Sequence, residues 1–195
     1  MTFDVKRYRR FISMGALVLV ALAAAPPVSL AARSEESVLD EVQRGGYLVA
    51  VMGCHDCHTP QRAGPDGPVP DLSRMLSGHP QDLPLKAPTM PQKGQWQTFI
   101  SATNTAFYGP WGVSFAANLT GHMETGIGTW SLDDFKRTMT TGRHLGTGRP
   151  LLPPMIWSNL ARLTDQDLAA IFAYLKSIPR VDNQVPEQLP LMPAP

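Results

Sequence analysis

Residues 54–58 read Cys-His-Asp-Cys-His, and they constrain this chain more than any other five positions. C-x-x-C-H is the attachment sequence for c-type haem. Its two thiols can add to the two vinyl groups of a porphyrin, and the histidine can bind the iron. On a helix, Cys54, Cys57 and His58 stand at i, i+3 and i+4 and project from one face. That face then becomes a floor for the macrocycle. Other chemistries compete for the same residues. A structural zinc site wants four ligands, and Cys54 and Cys57 are the only thiols in the chain. A thioredoxin-like pair needs a βαβ context, which the surrounding pattern does not offer. A plain disulfide would form in an oxidising compartment, but it gives no reason for His58.

The N-terminus has the pattern of an export signal. Lys6, Arg7, Arg9 and Arg10 precede an apolar and small-residue run from Phe11 to Ala25. Ser29-Leu30-Ala31 offers small residues where a signal peptidase reads, so cleavage after Ala31 is expected. The uncharged stretch from Phe11 to Ala32 is also long enough to span a bilayer marginally, and retention as an anchor is the alternative. Pro26 and Pro27 count against a continuous membrane helix there. Without residues 1–31, 13 basic and 15 acidic residues remain, a net charge near −2. That balance argues against a nucleic-acid binder. The expected organisation is a signal over 1–31, one domain over 32–180 and a flexible proline-rich tail over 181–195.

Three helices are expected from hydrophobic periodicity. The first runs from Ser37 to Met52 into the Cys-His cluster, and Gly45 and Gly46 interrupt its propensity. A second starts at Ser131, whose hydroxyl caps a turn carrying Asp133 and Asp134, and stops at Gly142. A third starts at Thr164, with Leu168, Ile171, Phe172 and Leu175 on its apolar face and Pro179 beyond its end. Between them, residues 60–112 hold nine prolines and several glycines, with neither helical nor strand periodicity. They read as one long irregular loop that wraps a porphyrin edge. Trp96, Phe99, Phe107, Tyr108 and Trp111 suggest that its later half is packed.

A single histidine leaves one face of the iron open. Met155, behind Pro153 and Pro154, is the leading candidate for the second ligand. Two prolines fix the backbone ahead of the sulfur, and the segment lies between the last two expected helices. The alternative is a methionine that merely fills core space. His144 is the main rival ligand, with His79 and His122 behind it.

Cys54 to His58, the proline-preceded Met155 and the run Ile171-Phe172-Ala173-Tyr174-Leu175-Lys176 together resemble class I cytochrome c. Gly46-Tyr47-Leu48-Val49, Cys57-His58-Thr59-Pro60, Asn118-Leu119-Thr120, Thr125-Gly126-Ile127-Gly128 and Gly142-Arg143 are similar to segments of exported monohaem members, some of them cytochrome subunits of periplasmic dehydrogenases. The resemblance implies an all-α fold around one covalent haem c, with Gly46 on the first helix packed against Tyr174 on the last. It also implies a backbone carbonyl that accepts the proximal histidine N–H. Relatives often carry proline at that position, where this chain has Ala117. Relatives also often follow the methionine with proline, where this chain has Ile156.

The function expected on this basis is single-electron transfer by Fe(III)/Fe(II) exchange, not enzymatic turnover. Cys54 and Cys57 would hold the haem covalently, and His58 and Met155 would ligate iron. Thioether sulfur favours Fe(II) and raises the potential relative to bis-histidine ligation. Trp130, Arg143 and Arg149 are donor candidates for the haem propionates. The expected partners are redox proteins, with a periplasmic dehydrogenase as one donor and the respiratory chain as the acceptor. The competing expectation is a haem enzyme or gas sensor with an open sixth site.

Overall fold

A computed structural model describes residues 30–86 and 98–189 of the chain. Residues 1–29 of the expected export signal, most of the candidate anchor stretch, Trp96 and residues 190–195 of the expected tail lie outside the described residues. No helix among the described residues is long and apolar enough to cross a membrane.

The first helix, α1 (Leu30–Val51), leads into a short helix α2 (Cys54–His58). The later helices are α3 (Leu132–Thr141), α4 (Trp157–Leu160) and α5 (Asp165–Ser177). Ser131 closes a capping box on α3: its Oγ accepts from Asp134 N at 3.1 Å, and the Asp134 carboxylate accepts from Ser131 N at 3.0 Å. Thr164 caps α5 through its hydroxyl alone, with Oγ1 accepting from Asp167 N at 3.1 Å. The Asp167 carboxylate also takes two bonds from the Arg44 guanidinium, at 3.0 and 2.9 Å, and so ties the start of α5 to α1.

The core forms where α1 crosses α5. Leu48 and Val49 from α1 meet Leu168, Ala170, Ile171 and Leu175 from α5, with Phe135 and Met139 from α3 closing the side. Each such aliphatic side chain contributes about 1.5–3 kcal/mol when fully removed from water. The crossing is close because two glycines permit it. A Cβ on Gly46 would meet the Tyr174 ring at 3.0 Å, and one on Gly45 would meet the Ala170 carbonyl oxygen. Gly45, not Gly46, is therefore the tighter contact.

The all-α expectation is overturned. Two small antiparallel sheets occupy the stretch expected to be irregular. One is the hairpin β1 (Gln61–Gly64) and β2 (Gly67–Pro70), and the other is β3 (Phe99–Ile100), β4 (Ala106–Gly109) and β5 (Gly112–Phe115) in that order. Both hairpins turn through the same four-residue pattern, Gly64-Pro65-Asp66-Gly67 and Gly109-Pro110-Trp111-Gly112, with the glycines paired across the strands. The prolines and glycines are thus turn punctuation, not a sign of missing structure. In the larger sheet, Ala106, Tyr108, Val113 and Phe115 share one face and build a second apolar cluster with Leu85, Val185 and Leu189. Phe107 and Ser114, opposite each other in the register, point to the other face.

Residues 181–189, which the sequence assigned to a flexible tail, run along the body. Asn183 is buried, and its side-chain amide donates to Ser77 O at 2.7 Å and His79 O at 2.9 Å. Its side-chain oxygen accepts from Gln81 N at 2.9 Å. Leu189 pairs with Val113 through two backbone bonds, so the segment also covers the free edge of β5.

Candidate functional site

The chain leaves α1 at Val51 and re-enters a helix three residues later. Gly53 makes this turn with φ of 69°, a left-handed conformation that glycine adopts without a Cβ clash. The result is one helical turn that carries Cys54, Cys57 and His58. Both thiols are half-buried and unpaired. Burial pushes the Cys54 thiol up to about 11 and raises Cys57 as well, with the Asp56 carboxylate adding to the shift at both. The thiols are therefore neutral near pH 7.

His58 is the best-defined element. It is 8% exposed, and burial lowers its pKa, so the imidazole is neutral. Its Nδ1 lies 2.8 Å from the Ala117 carbonyl oxygen. A carbonyl only accepts, so Nδ1 carries the proton and the Nε2 lone pair is free. That is the tautomer a metal-bound histidine needs, with its orientation fixed by the second nitrogen.

The machinery behind His58 comes from residues 76–79. Gly78 N donates to His58 O at 2.8 Å, and Leu76 N donates to Thr59 Oγ1 at 3.0 Å. On the other side, His79 N donates to Ala116 O and Leu119 N to Leu76 O, both at 2.9 Å. The strut thus lies between α2 and the segment that carries the Ala117 carbonyl. Gly78 must be glycine for this: φ is +79°, and a Cβ would collide with the Ala116 carbonyl oxygen and stand 2.6 Å from the Ala117 carbonyl. Asn183 holds both carbonyls that flank Gly78. Sequence reasoning missed this strut. Its contacts are long-range, and the only local signal was a glycine in a segment read as loop.

The remaining candidates divide by geometry. Met155 is half-buried and packs against the main core, as Cys54, Met52, Met75 and Trp130 also do. His144 packs edge-on against Trp130, with ring centroids 5.2 Å apart. The Arg143 Nη1 donates to Gly148 O at 3.0 Å, and Arg149 is exposed on the same loop. His79 is not available as a ligand. It is fully buried, and both ring nitrogens are engaged, by Thr105 Oγ1 at 2.8 Å and by Leu83 O at 2.9 Å. The His122 Nδ1 faces the Thr125 hydroxyl at 2.8 Å. Among the described residues, no three His, Cys, Asp or Glu side chains converge to hold a bare metal ion.

No family model matches the chain. Over 143 residues, 72% of the chain, it is 29% identical to the fructose dehydrogenase cytochrome subunit of Gluconobacter japonicus, covering 22% of that protein. It is 27% identical over 75% of its length to the gluconate 2-dehydrogenase cytochrome c subunit of Pantoea cypripedii, covering 25% of it. A shorter match, 36% over 40% of the chain, is to a nicotinate dehydrogenase subunit of Pseudomonas putida and covers 6% of that protein. The chain is similar to cytochrome subunits of dehydrogenases. It spans a quarter or less of the length of these curated relatives. The likeness supports a cytochrome c-like family and implies haem c. The donor set fits that group: two unpaired thiols and a metal-ready imidazole share one helical turn, and Cys54 packs against the apolar core.

Proposed function

We propose that this chain is an exported, periplasmic electron carrier that holds one haem c. Cys54 and Cys57 form the thioether links, and His58 and Met155 ligate the iron. Its partners are redox proteins, a dehydrogenase on the donor side and the respiratory chain on the other, and the chain itself performs no substrate chemistry. The observation that carries the reading is the His58 Nδ1 bond to Ala117 O, which leaves Nε2 free beside two unpaired thiols.

When bound, the haem supplies a one-electron couple. The residues around it do the rest. His58 is held in one tautomer and one orientation, so no proton moves at its ring as charge changes. Met155 presents a soft, weak donor that favours the reduced metal. The apolar core against which Cys54 and Met155 pack would exclude water and disfavour the more charged ferric state. The donors at Trp130, Arg143 and Arg149 are assigned to the propionates.

The test is a comparison of the parent with Met155→Ala, both co-expressed with haem-attachment machinery. The parent shows the weak far-red ferric iron–sulfur band and binds CO slowly when ferrous. Met155→Ala loses the band and binds CO readily. A band that persists in the variant rejects Met155. A parent that already binds CO readily favours an enzyme or sensor with an open site. Mass spectrometry that finds no covalent macrocycle on residues 54–57 rejects the haem assignment altogether.

A further inference from the structure

The face of the larger sheet that carries Phe107 and Ser114 is not explained by the sheet's own core. Val113 and Phe115 turn into the second apolar cluster, so Ser114 between them points the opposite way. Ser114 is 5% exposed, and a buried hydroxyl in an apolar strand is unfavourable unless it is paired. Its Oγ lies 2.6 Å from Pro153 O and 3.4 Å from Phe107 O. A hydroxyl has one proton to give, and the distances direct it to Pro153.

Pro153 belongs to the turn that presents Met155. That turn has few other restraints. Pro153 and Pro154 lack N–H groups, and Met155 N reaches only Leu152 O, at 3.2 Å, within the turn itself. Leu151 N is bonded to Gly142 O at 2.8 Å ahead of it, and α4 begins at Trp157 behind it. Among the described residues, the Ser114 bond is the sole polar tie from another element to residues 152–155. Ile156, the next residue, is 49% exposed and gives the turn little packing.

We propose that Ser114 is a positioning residue for the sixth iron ligand. From β5 it grips the Pro153 carbonyl and holds the turn at the distance Met155 requires. The larger sheet would then do for the Met155 turn what the strut at 76–79 does for His58: one stretch of chain, 60–116, would steady both proposed ligands. This inference rests on the assignment of Met155 as a ligand.

The experiment titrates imidazole against the ferric holoprotein, where it competes with the methionine sulfur, and records the far-red band across alkaline pH. Four proteins are compared: the parent, Ser114→Ala, Val113→Ala and Met155→Ala. Ser114→Ala is expected to bind imidazole roughly two- to tenfold more tightly, the change in equilibrium that one net hydrogen bond supports. It should also lose the band at lower pH. Val113→Ala loosens the opposite face of the same strand without touching the bond, so it should melt earlier yet bind imidazole like the parent. Imidazole affinity unchanged in Ser114→Ala overturns the proposal, and so does an equal gain in Val113→Ala. Met155→Ala separates the two levels. If it abolishes the band while Ser114→Ala behaves as the parent, only the role of Ser114 fails. If it keeps the band, the ligand assignment fails and the role of Ser114 falls with it.

Discussion

Gly45 and Gly46 are neighbours on one helix, yet alanine should affect them very differently. At both positions, alanine removes a backbone-entropy penalty of about 1 kcal/mol within a helix. At Gly46, the new methyl meets ring atoms of Tyr174 at 3.0 and 3.1 Å, and that side chain can shift by a few tenths of an ångström. The propensity gain then roughly offsets the contact, and Gly46→Ala should lie within about 1 kcal/mol of the parent. At Gly45, the methyl would run into the Ala170 carbonyl oxygen and stand 2.5 Å from its carbon. Both are backbone atoms inside α5, so relief requires the helices to separate by about 1 Å, and overpacking of this kind costs about 3 kcal/mol. After the propensity gain, Gly45→Ala should lose about 2 kcal/mol, or roughly 4–8 °C in melting temperature for a chain of this size. Thermal and urea unfolding of the matured protein, followed by far-UV circular dichroism, measures both. Equal stability of the two variants would refute the claim that the α1–α5 crossing is set by backbone contact at Gly45.

Two further outcomes follow from the buried polar groups. Asn183→Ala leaves Ser77 O, His79 O and Gln81 N without the partners they have in the parent, and should cost on the order of 3 kcal/mol; a loss under about 0.5 kcal/mol, the size of an ordinary surface substitution, would show that 181–189 does not brace the strut. His79 is buried and its pKa is lowered chiefly by that burial; the bond to the Leu83 carbonyl and, less strongly, the Asp82 carboxylate oppose the shift only in part. The unfolded chain therefore takes up its proton near the ordinary value of 6.5 while the folded chain resists, so stability falls as pH drops below 6.5. His79→Gln should flatten the fall in melting temperature between about pH 6.5 and 5, and an unchanged slope would place the dependence elsewhere.

Local chemistry was legible in the residues. Helical spacing put Cys54, Cys57 and His58 on one face, and the capping residues Ser131 and Thr164 marked the starts of α3 and α5. The stop at Gly142 could be read in the same way, whereas the close approach of Gly46 to Tyr174 came from the family resemblance; the structure bears it out and adds a tighter contact at Gly45. The two sheets were missed because proline and glycine were counted as marks of an irregular loop. Read as two-residue turns, Pro65-Asp66 and Pro110-Trp111, each set between paired glycines that end the strands, the same letters give both hairpins.

What the sequence determined by itself is whatever acts over four or five residues: the thiol–imidazole face, the helix caps, the turns. The resemblance pointed to the Ala117 carbonyl as the partner of His58, and the 2.8 Å contact bears that out. Tertiary structure alone decided the other groups that brace the site: Ser114 reaches Pro153 across 39 positions, and Asn183 reaches Ser77 across 106. A hydrogen bond is specified by position in space, and no periodicity in the chain records a partner that distant.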